Sequence, residues 1–457
     1  MSTSTDSLQV LIVGAGIGGL FLATLLERAR IPYAIFERAP TVRPLGAVMS
    51  LNVNTMPVFE QLGLFDDLMK ASFITNSMRI YDESLKEIMH SQSTDFKEKV
   101  GYDNVIFSRP RFYDLLLAQI PSEKIHFGKK VLSIKDNLDG IVSINCSDGT
   151  SYSGDILVGA DGAYSGVRQS LYKSLEERSQ LPSADSQGFR IGYMTMVGTT
   201  DPLDDEKYPQ LKDNFCHFHF VIGNGKPYTW HIFTVPDKKI CWGIQVQLKN
   251  ANAEDLAFRN TEWGSEGNEN MIKEVYDFVT PFGRLGEFID ATPKDRISKV
   301  FLEEKLFETW YHGRTVLIGD AAHKMSPSQG LGAVNALQDA IVLANHIYEI
   351  ARSPTESNIT RAFKEYRDER FSRVQDQFKA SKIMGRVLFG QKLSDRFLRH
   401  VLMRMLPQSL MNKEAIKAAT YRPQCAFLPR TPHRGTTPAL PQKPSKRFLE
   451  EQRQSHL

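Results

Sequence analysis

One stretch, from Val10 to Glu37, constrains the fold of this chain more than any other. It begins with four apolar residues in a row, which is typical of a strand buried on both faces. Glycines then occupy positions 14, 16 and 19, in the spacing G-x-G-x-x-G, and a helix-forming run continues to Arg30. Residues 33–36 form a second short strand that ends at Glu37. Strand, glycines, helix, strand and acid in this order predict a βαβ unit that binds the ADP part of a cofactor.

Each of these residues has a physical role in such a unit. Gly14 permits a tight turn, Gly16 lets the backbone approach a pyrophosphate, and Gly19 lets the helix pack on the strand. The helix N-terminus offers free N–H groups and the positive end of its dipole to the phosphates. The Glu37 carboxylate can accept hydrogen bonds from both hydroxyls of a ribose. The motif does not say which ADP-containing cofactor binds.

The composition places the chain among ordinary globular proteins. Its 457 residues are enough for two or three domains, and 41% hydrophobic with 24% charged residues argue against disorder. The net charge of +3 indicates no nucleic-acid partner. The four cysteines form no C-x-x-C pair, so we expect neither a metal site nor a disulfide framework. We find no signal-peptide pattern and no apolar run of about 18 residues, and we expect a cytoplasmic location.

Two later stretches follow the same plan as the first. Residues 152–158 are predicted as a strand that enters Gly159-Ala160-Asp161-Gly162, where Asp161 would orient a ligand; the alternative is a helix N-cap. Residues 316–318 are another buried strand, followed by GDAAHKMSPSQGLGAVN at 319–335. Asp320 can bond a polyol hydroxyl, and Gly330 with Gly332 predicts a turn whose N–H groups face developing negative charge.

Two further segments carry candidate cofactor residues. The loop 43–50 contains Gly46-Ala47, which would let the backbone approach something flat and large. Arg109 lies at a predicted strand–helix junction, where side chains often contact cofactors. The alternative for Arg109 is a surface arginine that balances Asp114.

A second region of the chain predicts a different kind of sheet. A polar stretch at 175–187 indicates a domain boundary, and four segments with a strand period follow, at 188–198, 215–223, 228–235 and 240–248. They predict an antiparallel sheet rich in aromatic side chains, which suits an apolar or aromatic ligand, although most rings are expected to fill the core. His217, His219 and His231 lie on this sheet without metal-ligand spacing.

Three separated segments, 14–37, 159–168 and 319–335, together resemble class A flavoprotein monooxygenases of the para-hydroxybenzoate hydroxylase fold. The resemblance implies FAD as the cofactor and NAD(P)H as a co-substrate. The positions that it implies for FAD binding are Gly14, Gly16, Gly19, Glu37, Gly46, Ala47, Ser50, Arg109, Asp161, Asp320, Gly330, Gly332 and Ala333. The motif at 319–335, with Y-R-P-Q-C-A-F-L-P at 421–429, is most similar to fungal enzymes of secondary metabolism.

The resemblance also implies an α/β fold, with a Rossmann-like FAD-binding domain interleaved with an antiparallel β-sheet substrate domain and followed by C-terminal helices. We expect the FAD-binding domain at 1–180 and 296–350, the substrate domain at 186–295, helices at 351–415 and an extended tail at 420–457. The charged residues between 361 and 373 predict a solvated helix face. Membrane contact is not expected; the alternative is contact through the basic, apolar C-terminal helices, such as 397–410.

The activity implied is hydroxylation or epoxidation of an aromatic or prenylated small molecule with O2 and NAD(P)H, through a flavin C4a-hydroperoxide. Arg190 and Tyr228, predicted on neighbouring strands, are candidates to hold a phenolate; the alternative is a structural role. Two other functions stay open at this point. One is FAD-dependent reduction of prenyl chains without O2, and the other is a non-catalytic flavoprotein.

Overall fold

The computed structural model describes residues 8–41, 48–75, 77–92, 96–136, 140–248, 269–405 and 407–455. Two of the predicted cofactor residues, Gly46 and Ala47, lie outside the described residues. Among the residues described, no helix is long and apolar enough to cross a membrane. The predicted α/β fold is confirmed: a mostly parallel sheet and a large, mostly antiparallel sheet are surrounded by helices.

A six-stranded sheet carries the opening βαβ unit. All neighbouring strands in it are parallel except the pair at one edge. The strand order is Tyr311–His312, Thr315–Leu317, Ile156–Gly159, Val10–Val13, Tyr33–Glu37 and Ile125–Phe127. Because parallel strands end on the same side, the three separated glycine motifs meet at one edge of the sheet.

Three helices form the layer that supports this edge. Ile17–Arg28 and Leu331–Ile350 pack side by side, and a Cβ added at Gly18 would lie only 3.4 Å from the Cβ of Ala336. The long helix Glu356–Phe389 packs against Leu331–Ile350. The N-termini of the first two helices therefore point to the edge where the glycine motifs meet.

The large sheet has eight strands. The four predicted antiparallel strands are confirmed, and the sheet is extended on both sides by segments from elsewhere in the chain. Its order is His323–Lys324, Ser298–Leu306, Arg190–Thr199, Lys239–Gln247, Tyr228–Val235, Phe218–Ile222, Ser77–Asp82 and Glu87–Gln92. The first strand links this sheet to the GDAAHK motif, so the two sheets share one boundary.

Side chains on the large sheet alternate between two faces. The helix-covered face buries Trp230 and Trp242 against two short helices, and we call the opposite face the crevice face. The helices are Glu269–Val275 and Leu285–Asp290. The crevice face includes His231 and Phe233, since these residues alternate with Trp230 along the strand.

Smaller elements complete the fold. Three-stranded sheets form from Val48–Leu51, Val105–Ser108 and Ser72–Ile74, and from Ser151–Gly154, Val142–Cys146 and Val131–Asp136. A two-stranded sheet pairs Val279–Thr280 with Gly283–Arg284. Further α-helices span Met56–Leu62, Phe65–Lys70, Phe96–Val100, Arg109–Leu117, Gly166–Glu177, Ser183–Ser186, Leu393–Arg404, Gln408–Ala418 and Lys446–Ser455. Short 3-10 helices span Ser122–Lys124, Pro209–Lys212, Lys294–Arg296, Gly319–Ala321 and Pro327–Gln329.

The C-terminal part differs from expectation in two respects. Arg370, predicted on a solvated face, has no solvent exposure, because it points at the helix Leu331–Ile350. The tail is extended over 421–445 but packs Cys425 and Phe427 into the core, and it then forms the helix Lys446–Ser455. Its backbone is held by side chains of distant residues such as Gln61, whose Oε1 accepts from the Cys425 N–H at 2.8 Å.

Candidate active site

The glycines of the first motif are required by close backbone approaches. Gly14 has a φ of +104°, and a Cβ there would lie 2.5 Å from the Ala160 carbonyl oxygen. A Cβ at Gly19 would overlap the Gly14 carbonyl oxygen. No side chain of the described residues caps the helix Ile17–Arg28, whose N-cap is Gly16. Its first N–H groups are therefore free to bind an anion, as predicted.

Glu37 is fixed at the end of its strand, beside the first motif. Its Oε2 accepts from the Ala15 N–H at 2.9 Å, and its Oε1 accepts from the Ala39 N–H at 2.8 Å. Each carboxylate oxygen can accept more than one hydrogen bond, and the residue is only partly buried. The carboxylate is thus oriented by the backbone and still able to accept from ribose hydroxyls.

Asp161 is poised at the same edge with an unused oxygen. Its Oδ2 accepts from the Val167 N–H at 3.2 Å, whereas its buried Oδ1 has no hydrogen-bond partner among the described residues. Ser165, which accepts from the Arg168 N–H at 2.9 Å, is the N-cap of the helix Gly166–Glu177. Burial raises the pKa of Asp161, against hydrogen bonds from Ser165 and Val167. Since buried polar atoms are nearly always paired, the orphaned oxygen indicates a place for a ligand donor.

Asp320, Lys324 and Arg109 form a charged group inside a cleft. Lys324 Nζ lies 2.5 Å from Asp320 Oδ2, with 31% and 34% of the two side chains exposed. Burial by itself raises the pKa of Asp320, but Lys324, His323 and Arg109 together lower it. Burial also lowers the pKa of Arg109, and Asp320 opposes this effect. Side chains that are reached by solvent yet desolvated by surrounding protein lie in a deep cleft, and Asp320 is the carboxylate that acts on the charge of Arg109.

The turn at Gly330 follows the segment of Asp320 and Lys324 in the chain. Gly330 has a φ of +65°, and a Cβ there would lie 2.6 Å from Ser50 Oγ, so Ser50 borders the turn. A Cβ at Gly332 would meet no atom of the described residues within 4 Å. No side chain of the described residues caps the N-terminus of the helix Leu331–Ile350, whose first turn contains Ala333. Open space therefore lies over uncapped N–H groups, where a flat group could pack.

Sequence reasoning missed the buried network that supports the GDAAH loop. Asp339 Oδ2 accepts from the Gly319 N–H at 2.9 Å and lies 2.6 Å from His323 Nε2. Asp339 Oδ1 accepts from Arg370 Nε at 2.8 Å, and all three side chains are at most 1% exposed. A charged residue inside an otherwise apolar helix, Asp339, was the available signal, but its partners could not be read from spacing.

The two predicted phenolate-binding residues are not brought together. The expectation that Arg190 and Tyr228 lie on neighbouring strands is wrong, because Lys239–Gln247 pairs with both strands and separates them. Arg190 is exposed at the start of its strand. Tyr228 is buried on the helix-covered face, where its ring lies 5.6 Å from that of Phe278. With a strand between them, and with one side chain exposed and the other buried, the two residues do not form a joint site.

The crevice face of the large sheet is turned towards the segments around the Gly330 turn. At one end, a Cβ on Gly385 would lie 3.5 Å from Ser326 Oγ and 3.8 Å from the Tyr193 ring, so helix, turn and sheet converge there. At the other end, Phe233 clusters with Val48 and Ile106. The crevice face therefore meets the segments around the Gly330 turn at both of these contacts.

The comparisons with known proteins agree with this geometry. The chain matches the family model described as "FAD binding domain" over residues 7–196 and 286–380, which is more than half of its length. The chain belongs to the class A FAD-dependent monooxygenases. The gap between the two matched segments, 197–285, contains three strands of the large sheet, so this monooxygenase interrupts its FAD-binding region with sheet.

Named relatives of this monooxygenase come from fungi and bacteria. It is 30% identical over 390 residues to the FAD-dependent monooxygenase paxM of Penicillium paxilli, covering 83% of this chain and 78% of the relative. It is 29% identical over 420 residues to the aurachin C monooxygenase/isomerase of Stigmatella aurantiaca, covering 91% of this chain and 97% of the relative. Klebsiella pneumoniae HpxO, solved with FAD and uric acid, superposes with a TM-score of 0.71 at 21% identity, covering 91% of this chain and 97% of that one.

The residues present in this monooxygenase fit FAD. The free N–H groups before Ile17 and the carboxylate of Glu37 suit the ADP half, and Asp320 with Arg109 suits the ribityl region. The orphaned Asp161 oxygen and the open space over Gly332 are both explained by a bound dinucleotide. The cofactor would thus run along the sheet edge and end at the crevice.

Proposed function

We propose that this chain uses NAD(P)H and O2 to hydroxylate or epoxidise an aromatic or prenylated small molecule in secondary metabolism. The observation that carries the proposal is that an aromatic sheet face meets the segments around the FAD-binding residues, through Phe233 with Val48 and through Tyr193 with Gly385. FAD, once reduced, supplies the capture of O2 and an oxygen atom for transfer. What the chain must add is a dry, shaped place for the second reactant.

The crevice face has the chemistry for an apolar, ring-bearing molecule. The rings of Phe218 and Phe220 lie 5.0 Å apart, and Phe218 lies 4.8 Å from Phe233 in an edge-to-face contact. Such a wall favours flat, apolar ligands, and it excludes water from the reacting atoms. The fungal relative paxM and the bacterial aurachin C monooxygenase/isomerase support the assignment to small-molecule metabolism.

The chain's own residues hold the cofactor end of this crevice rigid. The Gly330 turn is braced by Ser50, and the loop of Asp320 is braced through Gly319 by Asp339. Two helix N-termini without side-chain caps would hold the phosphates and the flat end of the cofactor. These residues bind and orient; the oxidation itself belongs to the cofactor.

Oxygen consumption tests the proposal. Purified protein should be yellow, and its NAD(P)H oxidation should increase when a phenol, indole or prenylated compound is added from a screen. One O2 should be consumed for each NAD(P)H and each product molecule. Product formed under strict anaerobiosis would instead identify a prenyl reductase, and a yellow protein that never oxidises NAD(P)H would indicate a non-catalytic flavoprotein.

A further inference from the structure

A chain of hydrogen bonds crosses three neighbouring strands on the crevice face. Thr195 Oγ1 donates to the Ile244 carbonyl oxygen at 3.1 Å, and Gln245 Nε2 donates to Thr195 Oγ1 at 3.0 Å. Gln245 Oε1 then lies 3.3 Å from Nδ1 of His231. Thr195, Gln245 and His231 therefore form one relay anchored on a backbone carbonyl.

The relay fixes the tautomer of His231. The Thr195 hydroxyl has one proton, and it is committed to the Ile244 carbonyl, so Thr195 can only accept from Gln245. The Gln245 amide must then present its NH2 group to Thr195 and its oxygen to His231. An amide oxygen accepts, so His231 Nδ1 carries the proton. His231 Nε2 is left as a lone-pair acceptor.

The surroundings of His231 are aromatic, and the residue is partly exposed. The imidazole packs among aromatic rings, with the Phe220 centroid at 5.3 Å and the Phe233 ring stacked at 5.6 Å. The edge of the ring formed by Cε1 and Nε2 lies over Gly243, where an added Cβ would overlap both atoms. The side chain is nevertheless partly exposed to solvent, in the middle of the crevice face. Nε2 has no hydrogen-bond partner among the described residues, and the ring that carries it lies among aromatic side chains. His219 lies on the opposite, helix-covered face, where it pairs with Ile232.

We propose that His231 is a catalytic residue that accepts the proton of an aromatic O–H or N–H group on the substrate. The inference rests on the proposed function and narrows it to aromatic rings that carry such a donor, such as phenols or indoles. Gln245 and Thr195 are positioning residues, because they act only through His231.

The proton transfer balances with oxygen transfer. An aromatic carbon conjugated with the donor gives an electron pair to one oxygen atom derived from O2. The donor's O–H or N–H bond breaks, its electron pair enters the ring system, and its proton moves to His231 Nε2. The second oxygen atom leaves as water, with NAD(P)H as the reductant. In a phenol, the ring carbon then loses its proton to water and the His231 proton returns to the phenol oxygen.

A neutral imidazole suits this role even in a desolvated pocket. The donor's proton becomes strongly acidic only as electron density leaves the ring, so the acceptor need not be a strong base. Burial lowers the pKa of His231 to about 4, although its hydrogen bond to Gln245 acts in the opposite direction. This low pKa keeps the ring neutral at physiological pH. The acceptor is consequently present in its active form before the substrate arrives.

Nitrogen NMR of the holoenzyme tests the tautomer without any substrate. Histidine labelled with 15N should show His231 at pH 7 protonated on Nδ1 and unprotonated on Nε2, with the signal assigned by its loss in His231→Phe. A proton on Nε2, or a charged ring, would overturn the proposal. In Gln245→Leu the preference for this tautomer should weaken while the flavin absorbance stays unchanged.

A matched pair of probes tests the acceptor. The FAD-loaded protein should bind 2-naphthol about tenfold more tightly than naphthalene, measured by the change in flavin absorbance, since the unpaired acceptor disfavours naphthalene. His231→Phe, which keeps the ring volume, should lose this preference, and His231→Asn should retain part of it. His217→Phe is the control, because His217 bonds to Asp213 and does not contact the relay.

The outcomes separate this inference from the proposed function. Equal binding of both probes, binding of neither, or an unchanged preference in His231→Phe contradicts the role of His231. If such a protein still consumes O2 and NAD(P)H with another substrate, only this inference fails. If it contains FAD but transfers no oxygen to any compound, the proposed function fails as well.

Discussion

Arg370 and Asp339 form an ion pair from which solvent is fully excluded, with Arg370 Nε donating to Asp339 Oδ1 at 2.8 Å. The same guanidinium donates to Gln338 and Asn335, so that it is satisfied on three sides. Through Asp339, the pair holds the Gly319 N–H and His323. The loop that carries Asp320 is therefore held by Asp339 of the helix Leu331–Ile350, and Asp339 is held in turn by Arg370 of the helix Glu356–Phe389.

Removal of Arg370 should strongly destabilise the protein. Arg370→Leu leaves the Asp339 carboxylate buried without its arginine partner, which costs about 3–5 kcal/mol in comparable buried pairs. Urea unfolding of the FAD-loaded protein measures the change. Arg361→Leu on the exposed face of the same helix is the control and should cost less than about 0.5 kcal/mol. Equal stabilities of the two variants would contradict the structural role.

The same pair predicts an acid-dependent stability. Burial raises the pKa of Asp339, but His323 and Arg370 outweigh it and lower the pKa to about 2. The folded carboxyl then binds a proton less readily than the unfolded one, so its stabilisation is complete above pH about 4 and is lost as the pH falls towards 2. Between pH 5 and pH 3 the wild type should lose about 1 kcal/mol that Asp339→Asn does not lose, measured by urea unfolding at each pH.

Gly14→Ala should abolish FAD binding. The variant combines a disfavoured φ with a clash against the Ala160 carbonyl, at the position where the phosphates approach. The ratio of absorbance at 450 and 280 nm reports the bound flavin. Gly63→Ala is matched to it, since Gly63 has a φ of +72° but a Cβ there meets no described atom within 4 Å. That control should lose about 1 kcal/mol of stability and keep its flavin.

Substitutions of Asp320 and of Lys324 should both weaken FAD binding, for different physical reasons. Asp320→Asn removes an acceptor and leaves Lys324 and Arg109 without their anion, so FAD should bind about ten- to a hundredfold more weakly. Lys324→Met removes the residue that does most to lower the pKa of Asp320, so its FAD affinity should fall towards acid pH while that of the wild type stays constant. Quenching of flavin fluorescence measures both constants. Identical pH profiles would argue against the ion pair.

Gly243→Ala should displace the His231 ring without touching the cofactor cleft. A methyl group at this position overlaps the imidazole, so we expect loss of the 2-naphthol preference at unchanged flavin content. Gly192→Ala on the same sheet is the control, because a Cβ there meets no atom of the described residues within 4 Å. A retained preference in Gly243→Ala would mean that the position of the ring does not matter.

The sequence was sufficient where chemistry is local. Gly14 and Glu37 could be placed because the turn, the helix start and the strand end are encoded within one βαβ unit. Alternation along the strand also puts His231 and Trp230 on opposite faces. The sequence alone does not tell which of the two faces is the crevice face, because that depends on packing against Val48 and Ile106, which lie far away in the chain.

Long-range charge pairing was equally hidden. Arg370 lies among alternating charges, a pattern that predicts a solvated position. It is buried because its side chain bonds to residues of the helix Leu331–Ile350. The misplaced pair of Arg190 and Tyr228 has the same origin. Strand order in a sheet follows from pairing, and the strand that follows Tyr228 in the sequence is inserted between the two.

The strand Ile156–Gly159 lies between Val10–Val13 on one side and Thr315–Leu317 on the other. During synthesis on the ribosome, its second edge must wait for more than 150 further residues to emerge. Until then the growing chain presents an apolar, unpaired strand edge, which is a template for association with other chains. The long excursion through the large sheet thus sets a time window in which the nascent protein depends on protection, and heterologous production at reduced temperature or translation rate should give more soluble, flavin-loaded protein.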